Sequence, residues 1–474
     1  MAPPADQPVA PSAPSLGGCI TITVMETPLR WRELFQEGRG RLTAGIVLVE
    51  FLVAVESLVV IAIMPAIRND LGGLEFYGLV FAGFSLAALV LSPIAGRSAD
   101  RRGPAQPFLL YGLLFIAGTV LCGLAPSMPS LAIARVVQGA GAGGAYTVAL
   151  AAVTRVYPES GRARVLALLA GAWILPGLLG PSYGVVMAAT VGWRWAFFSI
   201  VPLAAIALAL AWPVLRALPP VARPTELAIG WPLALAAGVS ALVGGLSLLS
   251  WLSLPLVALG IWLTWFALGH ILPVGWRRAR PGPPAAVTTI FLLILAFIGA
   301  DYFIPLMVTG VRGRSLTEAS VVITLGTVSW SVGNWWQSRA ISRRSSVALV
   351  RLGGAILTIA IVGIIATLAG APLAVAYIAW FAGGLGMGIA YPTAYLVIMQ
   401  GADAEGAGSA VSSEQVAERL ALALGGGLGG VCVALALTLH ASLAVGLAGA
   451  FGLALLAAVG GILLAPRVTP VPPS

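Results

Sequence analysis

Long apolar runs separated by short polar loops fill the 474-residue chain. An α-helix needs about 20 consecutive apolar residues to cross the hydrocarbon core of a bilayer. Six runs of this kind lie in the first part of the chain, two follow and six complete it, at residues 42–66, 76–95, 106–125, 130–154, 165–190, 195–215, 231–250, 253–274, 286–310, 316–337, 347–369, 371–399, 405–438 and 440–465. We therefore predict an all-α polytopic membrane protein with 14 transmembrane helices arranged 6+2+6. The alternative for residues 231–274 is one re-entrant hairpin in place of two full spans.

The same pattern divides the chain into five parts. These are a cytoplasmic tail with a short interfacial helix (1–41), an N-terminal six-helix bundle (42–216), a two-helix linker (217–284), a C-terminal six-helix bundle (285–466) and a cytoplasmic tail (467–474). The interfacial helix is predicted because Trp31, Leu34 and Phe35 follow helical spacing, with Arg30 and Arg32 beside them. Because the loops are short, any function must lie within the helix bundle.

Charge in this chain is scarce and one-sided. Only 9% of the residues are charged, whereas soluble proteins carry about 25%. The net charge is +9, and all 26 basic residues are arginine. If the N-terminus is cytoplasmic, 20 arginines lie in cytoplasmic loops and four in the opposite loops, which is the bias expected of membrane proteins. We predict a multi-pass protein of the cell inner membrane with both termini cytoplasmic, and no nucleic acid as partner.

The sequence carries no pattern typical of an enzyme. Its three cysteines and two histidines form no metal-ligand spacing, and no nucleophile stands in a pattern with a base. A nucleotide-binding loop of the G-x-x-x-x-G-K-[ST] type needs a lysine, which the chain lacks. We expect no catalytic site, no metal and no cofactor.

Seven charged side chains inside the predicted spans are the most informative. A charge at the centre of a spanning helix costs about 2.5–3.5 kcal/mol, so such a group must be neutral, paired or in contact with water. These candidates for proton coupling are Glu50, Glu56, Arg135, Asp301, Glu414, Glu418 and Arg419. Glu56 leads because it lies about 21 Å into the first span, near mid-membrane. Glu50 is shallower and points about 240° away round the same helix.

The other ionisable residues each leave an alternative open. Arg135 can face a cavity or reach the outer interface with its long side chain. Asp301 can be structural. Arg419 needs a cavity or an acid partner, either Glu414 or Glu418 from its own helix or an acid across the bundle, and such an ion pair can be purely structural.

The loop after the second span contains Gly96, Asp100, Arg101 and Gly103 in the spacing G-x-x-x-D-R-x-G. This resembles motif A of the major facilitator superfamily and stands between the same two spans. Pro104 departs from the family pattern, which often has a basic residue there. An acid at a helix end can cap free amides, and the arginines can hold the loop at the lipid headgroups.

The fourth span opens with Arg135, Gln138 and Gly139, followed by further glycines, which is similar to motif B of the same superfamily. The resemblance associates Arg135 with proton handling. The glycines allow close helix packing and need no further role.

The fifth span contains Gly177, Gly180, Pro181 and Gly184, a partial match to motif C of the antiporter branches. The spacing from Gly177 to Gly180 is one residue short, and Val185 replaces the final glycine. Glycine and proline in a span permit a bend and a tight helix contact. The order of the three motifs favours the antiporter interpretation.

The segment from Glu56 to Pro65 resembles the fourteen-span drug:proton antiporter branch, with Glu56 where that branch has aspartate. Gln337 stands where an echo of motif A in the second half would have its acid. Other segments are similar to actinobacterial exporters of drugs and triacylglycerides. The resemblance implies the major facilitator fold and a proton-coupled antiporter that exports lipophilic compounds, drugs or lipids, by alternating access. Glu56 would carry the proton, and Arg135 and Arg419 would exchange partners.

The same resemblance sets expectations for partners and substrate contacts. The partners would be protons, a small lipophilic substrate or lipid, the lipid bilayer and a periplasmic lipoprotein, and the protein would be a monomer. Substrate contacts would be apolar and aromatic, with Trp330, Trp335, Trp336 and Tyr395 as candidates. Two other functions stay open, a symporter importing a small polar nutrient and a non-transporting membrane scaffold. Few polar residues in the spans argue against the first, and mid-membrane ionisable residues argue against the second.

Overall fold

The computed structural model describes residues 34–36, 39–221, 229–248, 251, 253–401 and 407–470. Arg30, Trp31 and Arg32 of the predicted interfacial helix lie outside these residues. Leu34 is buried, and its carbonyl accepts a hydrogen bond from the Thr43 hydroxyl at 3.3 Å. The short segment that precedes the first long helix is therefore tied to it.

Every regular element in these ranges is helical. In chain order the α-helices are α1 (Arg39–Leu71), α2 (Tyr77–Arg102), α3 (Ala105–Gly123), α4 (Met128–Val156), α5 (Glu159–Gly171), α6 (Ile174–Thr190), α7 (Arg194–Phe198), α8 (Ile200–Leu215), α9 (Gly230–Ser247), α10 (Ser253–Ile271), α11 (Pro283–Asp301), α12 (Ile304–Leu306), α13 (Leu316–Ala340), α14 (Ser346–Leu368), α15 (Leu373–Gln400), α16 (Ala407–Thr438) and α17 (Leu443–Leu464). A π-helical turn follows α12 at Met307–Val311. Helices thus occupy each of the apolar runs in which spans were predicted.

Within the described ranges, 12 helical segments are long and apolar enough to cross a bilayer. Two predicted spans are not among them. The apolar stretch of α9, Gly230–Leu246, is short, and α13 carries serine, threonine, asparagine and glutamine along its length. The chain is a multi-pass all-α membrane protein, and the 6+2+6 arrangement stays a prediction.

Three of the predicted spans are interrupted, and each interruption lies four residues before a proline. The breaks fall at Ala172, Phe198 and Asp301. The corresponding prolines, each in the first turn of the following helix, are Pro176, Pro202 and Pro305. Proline lacks the N–H that would donate to the carbonyl four residues earlier. Each of these spans is therefore built from shorter helices.

Glycines let α4 pack tightly against α2. A Cβ added at Gly139 would overlap the backbone of Phe84, and one at Gly143 would lie 2.6 Å from the Cα of Ala88. Small residues permit this close approach of helices in membranes. The tight packing fixes the distance of α4 from α2.

The helices α1–α8 and α11–α17 form two groups that meet at two seams. At the first seam, Gly78 of α2 lies against Gly426 and Gly430 of α16, where an added Cβ would overlap backbone atoms. At the second, a Cβ on Gly177 of α6 would lie 2.5 Å from the methyl of Thr327 of α13. Both contacts thus require glycine. The division into bundles at 42–216 and 285–466 stays a prediction.

The helices α9 and α10 form a hairpin beside the first seam. Gly260 of α10 approaches the backbone of Leu242 of α9. Val243 of α9 covers Gly427 of α16, and Leu89 of α2 belongs to the same buried cluster. The hairpin therefore touches both groups of helices.

Candidate functional site

A buried ion pair joins α1 and α4. The guanidinium of Arg135 donates to the carboxylate of Glu56, and these side chains are 3% and 0% exposed. Glu56 lies about 25 Å from the start of α1 at 1.5 Å per residue, near its middle. Breaking such a pair leaves an uncompensated buried charge at a cost of about 3–5 kcal/mol. The pairing therefore explains how both charges can stand so deep in the bundle.

Three neighbours hold Arg135 in place. Its guanidinium donates to the side-chain oxygen of Gln138 at 2.6 Å and to the carbonyl of Val80 at 3.3 Å, and it lies 4.3 Å from the ring centre of Phe84. Gln138 in turn donates to the hydroxyl of Thr119 at 3.0 Å. Since residues three apart on a helix share a face, the Arg-x-x-Gln spacing of motif B aims both side chains at this site.

The second carboxylate oxygen of Glu56, Oε2, has no hydrogen-bond partner among the described residues. Buried polar atoms are almost always hydrogen-bonded, so an orphan of this kind needs an explanation. A proton can be added at Oε2 without displacing the hydrogen bond from Arg135 to Oε1. The arrangement can therefore bind and release a proton in the interior of the bundle.

Asp301 lies in a second buried cluster, at the end of α11. Its Oδ1 accepts a hydrogen bond from the indole of Trp380 at 2.7 Å, and it is 2% exposed. The Trp380 ring stacks on Phe297 at 4.7 Å, and Phe297 meets Trp330 edge-on at 5.2 Å. A ladder of aromatic rings thus leads away from Asp301 within the second group of helices.

The ladder ends at Glu414 of α16. Trp330 lies 5.9 Å from the ring of Tyr391, whose hydroxyl donates to Glu414 at 2.6 Å. Tyr395 lies within electrostatic range of the same carboxyl. Of the four predicted substrate contacts, Trp330 therefore belongs to this ladder and Tyr395 lies near its end.

The other two predicted contacts, Trp335 and Trp336, lie in the last turns of α13. Trp335 is 61% exposed and stacks with the guanidinium of Arg339 at 3.8 Å, while Trp336 faces Arg344 at 5.4 Å. The structure therefore does not bring the four aromatic residues together.

Glu50 faces a different place from Glu56. It accepts a hydrogen bond at 2.6 Å from the indole of Trp173, at the break between α5 and α6. Arg419 and Glu418 of α16 lie within electrostatic range of it. Arg419 forms no salt bridge within 4 Å to any described residue. It therefore faces acids of both groups of helices without being locked to one.

The loop that carries motif A docks on the segment after α8. Gly103 ends α2 with a φ of 82°, a conformation that favours glycine. The carbonyl of Asp100 accepts a hydrogen bond from the backbone of Val221 at 2.8 Å, and Arg155 lies within electrostatic range of its carboxyl. The motif thus fastens the ends of α2, α4 and α8 to one another.

Of the remaining residues of this motif, Gly96 lies in a helix contact and Arg101 lies at the surface. A Cβ at Gly96 would lie 3.5 Å from the methyl of Thr147, so α2 and α4 approach closely here. Arg101 is exposed, where a cation can meet lipid headgroups.

The residues of motif C lie on α6 between α1 and α13. Gly180 and Gly184 face α1, and a Cβ at Gly180 would lie 3.5 Å from that of Leu58. Pro181 stays within the helix, and Gly177 forms the seam with α13. The partial motif therefore lies where the two groups of helices touch.

Trp173, Trp380 and Thr119 were not among the predicted site residues. A tryptophan in an apolar run is typical of packing, so nothing in the amino-acid pattern marks Trp173 or Trp380 as a site residue. Thr119 is a polar residue inside a predicted span, and that pattern is the signal that finds it.

Comparison with known proteins identifies relatives of this chain. A family model described as Major Facilitator Superfamily matches residues 46–426. Multidrug resistance protein 3 of Bacillus subtilis (strain 168) is 28% identical over 316 residues, covering 62% of this chain and 61% of that protein. Multidrug transporter protein MdtP of the same organism is 25% identical over 402 residues, covering 80% and 72%.

An uncharacterized MFS-type transporter of Mycobacterium tuberculosis (strain CDC 1551 / Oshkosh) is 28% identical over 339 residues, covering 68% of this chain and 47% of that protein. This protein and multidrug resistance protein 3 are each covered over less than two-thirds of their length.

Solved structures share the fold. A D-xylose-proton symporter matches with a TM-score of 0.65 at 15% identity, covering 92% of this chain and 98% of that one. The human organic anion transporter MFSD10 (TETRAN) matches with a TM-score of 0.61 at 16% identity, covering 91% and 100%. At these identities the likeness concerns the fold alone.

Proposed function

The chain belongs to the major facilitator superfamily, and from this membership we propose that it is a proton-coupled antiporter that exports lipophilic compounds by alternating access. Membership makes it a membrane transporter rather than an enzyme. Export of drugs is supported by the multidrug transporters among its relatives. Lipids, the fourteen-span branch and a periplasmic lipoprotein partner stay predictions from the resemblance in sequence.

One observation carries the proton-coupling part of the proposal. Glu56 is enclosed at mid-helix with Arg135 as its partner, and its Oε2 is an orphan acceptor. Ionisable groups inside membrane spans mark ion and proton pathways. In the proposal Glu56 carries the proton, and Arg135 balances its charge when the proton leaves.

The topology part of the proposal rests on the arginines. With both termini in the cytoplasm, 20 of the 26 arginines face the cytoplasm. The end of the bundle at which α1 finishes and α2 begins is then the outer end. Gly78 and its partners Gly426 and Gly430 lie towards that end. We therefore interpret the conformation as closed towards the outside.

The charges beside the seam favour positively charged substrates. Glu50, Glu414, Glu418 and Arg419 all lie within electrostatic range of Tyr146, so three carboxylates face one guanidinium. Aromatic rings attract cations through their faces, and tyrosine and tryptophan rings line this region. We expect lipophilic aromatic cations to be transported better than anions of the same size.

The experiment that tests the proposal is transport by the full chain in proteoliposomes with an imposed pH gradient. The probe is ethidium, an aromatic cation. Glu56→Gln should abolish the part of its transport that the gradient drives, because glutamine cannot take up and release a proton. Exchange of ethidium without a gradient should persist.

The matched control is Glu75→Gln. Glu75 is an exposed acid in the turn before α2, and its removal should leave gradient-driven transport unchanged. If Glu56→Gln transports as the unaltered protein does, Glu56 is not the proton carrier. If neither the unaltered protein nor Glu56→Gln responds to the gradient, transport is not coupled to protons.

A further inference from the structure

One segment of α2, residues 77–84, touches both the buried ion pair and the opposite group of helices. On one side, the carbonyl of Val80 accepts from Arg135 and the ring of Phe84 lies against its guanidinium. On the other side, Tyr77 and Phe81 pack against the end of α11. A shift of Arg135 would therefore move the α2 segment that contacts the opposite group of helices.

Tyr302 is the residue of the second group on which this segment rests. Its ring stacks on Phe81 with centroids 4.1 Å apart and planes inclined by 15°. Its carbonyl accepts a hydrogen bond from the hydroxyl of Tyr77 at 3.3 Å. Tyr302 is 6% exposed. It therefore contacts α2 at two points, through its ring and its carbonyl.

The backbone around Tyr302 is not part of a continuous α-helix. α11 ends at Asp301 because Pro305 has no N–H for the carbonyl of that residue, and a π-helical turn follows at Met307–Val311. Interrupted helices of this kind are frequent at functional sites in membrane transporters. Tyr302 can thus change its angle without breaking a continuous helix.

The charged groups that face Tyr302 come from three elements. They are Arg135 of α4, Asp301 at the end of α11 and Arg419 of α16. Glu56 of α1 is joined to Arg135 by its salt bridge, and Arg68 of α1 faces the neighbouring Tyr77.

We propose that Tyr302 is the positioning residue through which the charge state of Glu56 keeps the outer end of the bundle closed. The proposal rests on the function proposed above. While Glu56 is ionised, it holds Arg135 against Val80 and Phe84, and the α2 segment stays seated on Tyr302. When Glu56 becomes neutral, Arg135 loses its counter-charge and the segment is released. Antiport requires such a rule, because an empty carrier that switched freely would dissipate the proton gradient.

The test measures the outer gate directly, without transport. Spin labels are placed at Asn69 and Leu439, two exposed positions at the ends of α1 and α16, in a full chain from which the native cysteines are removed. Distance distributions are recorded by electron paramagnetic resonance in nanodiscs. Glu56→Gln should raise the population with a long distance about fivefold or more, the lower end of usual coupling strengths.

The decisive comparison is a double-mutant cycle. In a Tyr302→Leu background, Glu56→Gln should change the open population by less than about twofold, because the stacked contact that transmits the signal is gone. Tyr377→Leu is the matched control, a tyrosine of α15 packed against the same buried core, and there the effect of Glu56→Gln should persist. If Tyr302→Leu does not fold, Phe81→Leu removes the same ring pair from the side of α2.

The outcomes separate this inference from the proposed function. An equal effect of Glu56→Gln in both backgrounds would overturn the role of Tyr302 and leave proton coupling intact. No effect of Glu56→Gln on the gate overturns the inference in any background. The proposed function fails as well only if Glu56→Gln also leaves gradient-driven transport intact.

Discussion

Arg135→Met should make the stability of the protein depend on pH. The substitution leaves Glu56 without its cation in a place where the side chain has no exposed surface. An ionised carboxylate there costs several kcal/mol, so the variant folds with the carboxyl protonated. Protonation costs about 1.4 kcal/mol per pH unit above the ordinary glutamate value of about 4.3. The expected loss of unfolding free energy from this cause is therefore ~1 kcal/mol at pH 5 and ~4 kcal/mol at pH 7.

The sign of the dependence follows from proton counting. Above pH ~4.3 the folded variant binds one proton more than its unfolded chain, so its stability falls as the pH rises. Glu56→Met behaves differently, because the arginine left behind cannot give up its proton in this range. Its cost should be about 3–5 kcal/mol at both pH values. The double variant Glu56→Met/Arg135→Met buries no charge and should be more stable than either single variant at pH 7.

The assay is equilibrium unfolding of the purified full chain in mixed micelles between pH 5 and 8, followed by the fluorescence of its 14 tryptophans. Arg194→Met is the control. Its salt bridge to Asp70 is 40% and 49% exposed, and such pairs contribute less than about 1 kcal/mol. A loss for Arg135→Met that stays constant across this pH range would refute the reasoning, because it would mean that Glu56 stays ionised in the folded variant.

Three further predictions concern other parts of the site. Gly78→Ala should widen the spin-label distance at the outer end, since its Cβ would overlap the backbone of α16, whereas Gly452→Ala, which meets nothing within 4 Å, should not. Asp301→Asn keeps an acceptor for Trp380, so its free energy of unfolding should lie within about 1 kcal/mol of that of the unaltered protein. Asp301→Ala leaves the buried indole unpaired and should lower the free energy of unfolding by about 1–3 kcal/mol in the same assay. Glu50→Gln should raise the KM for ethidium several-fold and leave that for a neutral dye of similar size unchanged, and equal effects on both dyes would contradict the charge argument.

The apolar pattern could predict where helices lie, because hydrophobic length is a local property. Each predicted run is helical in the described residues, and Glu56 lies as deep in α1 as its place in the run indicated. The interruptions were harder to predict. Breaks precede Pro176, Pro202 and Pro305, yet Pro65 and Pro181 stay inside continuous helices. Proline removes a hydrogen bond everywhere, but neighbouring groups decide whether the helix breaks.

The pairing of charges could not be predicted, because it depends on which helices are adjacent and how each is rotated. Glu56 and Arg135 are 79 residues apart, and each was identified as a candidate without being assigned to the other. Phe84 is one of several phenylalanines in apolar runs, and nothing local distinguishes it. The contact of Arg135 with its ring exists only because Gly139 lets α4 lie against the backbone of Phe84.

The two acids of α1 show what rotation contributes to function. Glu50 and Glu56 are six residues apart, so their side chains point in different directions round the helix. From the sequence, Glu50 is therefore the weaker candidate for proton coupling. In the structure Glu56 turns into its own group of helices towards Arg135, while Glu50 turns to Trp173 and towards the charges of α16 in the other group. One helix thus presents a carboxyl to an enclosed ion pair and another to the region between the groups. If protons act at the first and cations at the second, the two ligands need not compete for one carboxylate, and their coupling must pass through the movement of the helices themselves.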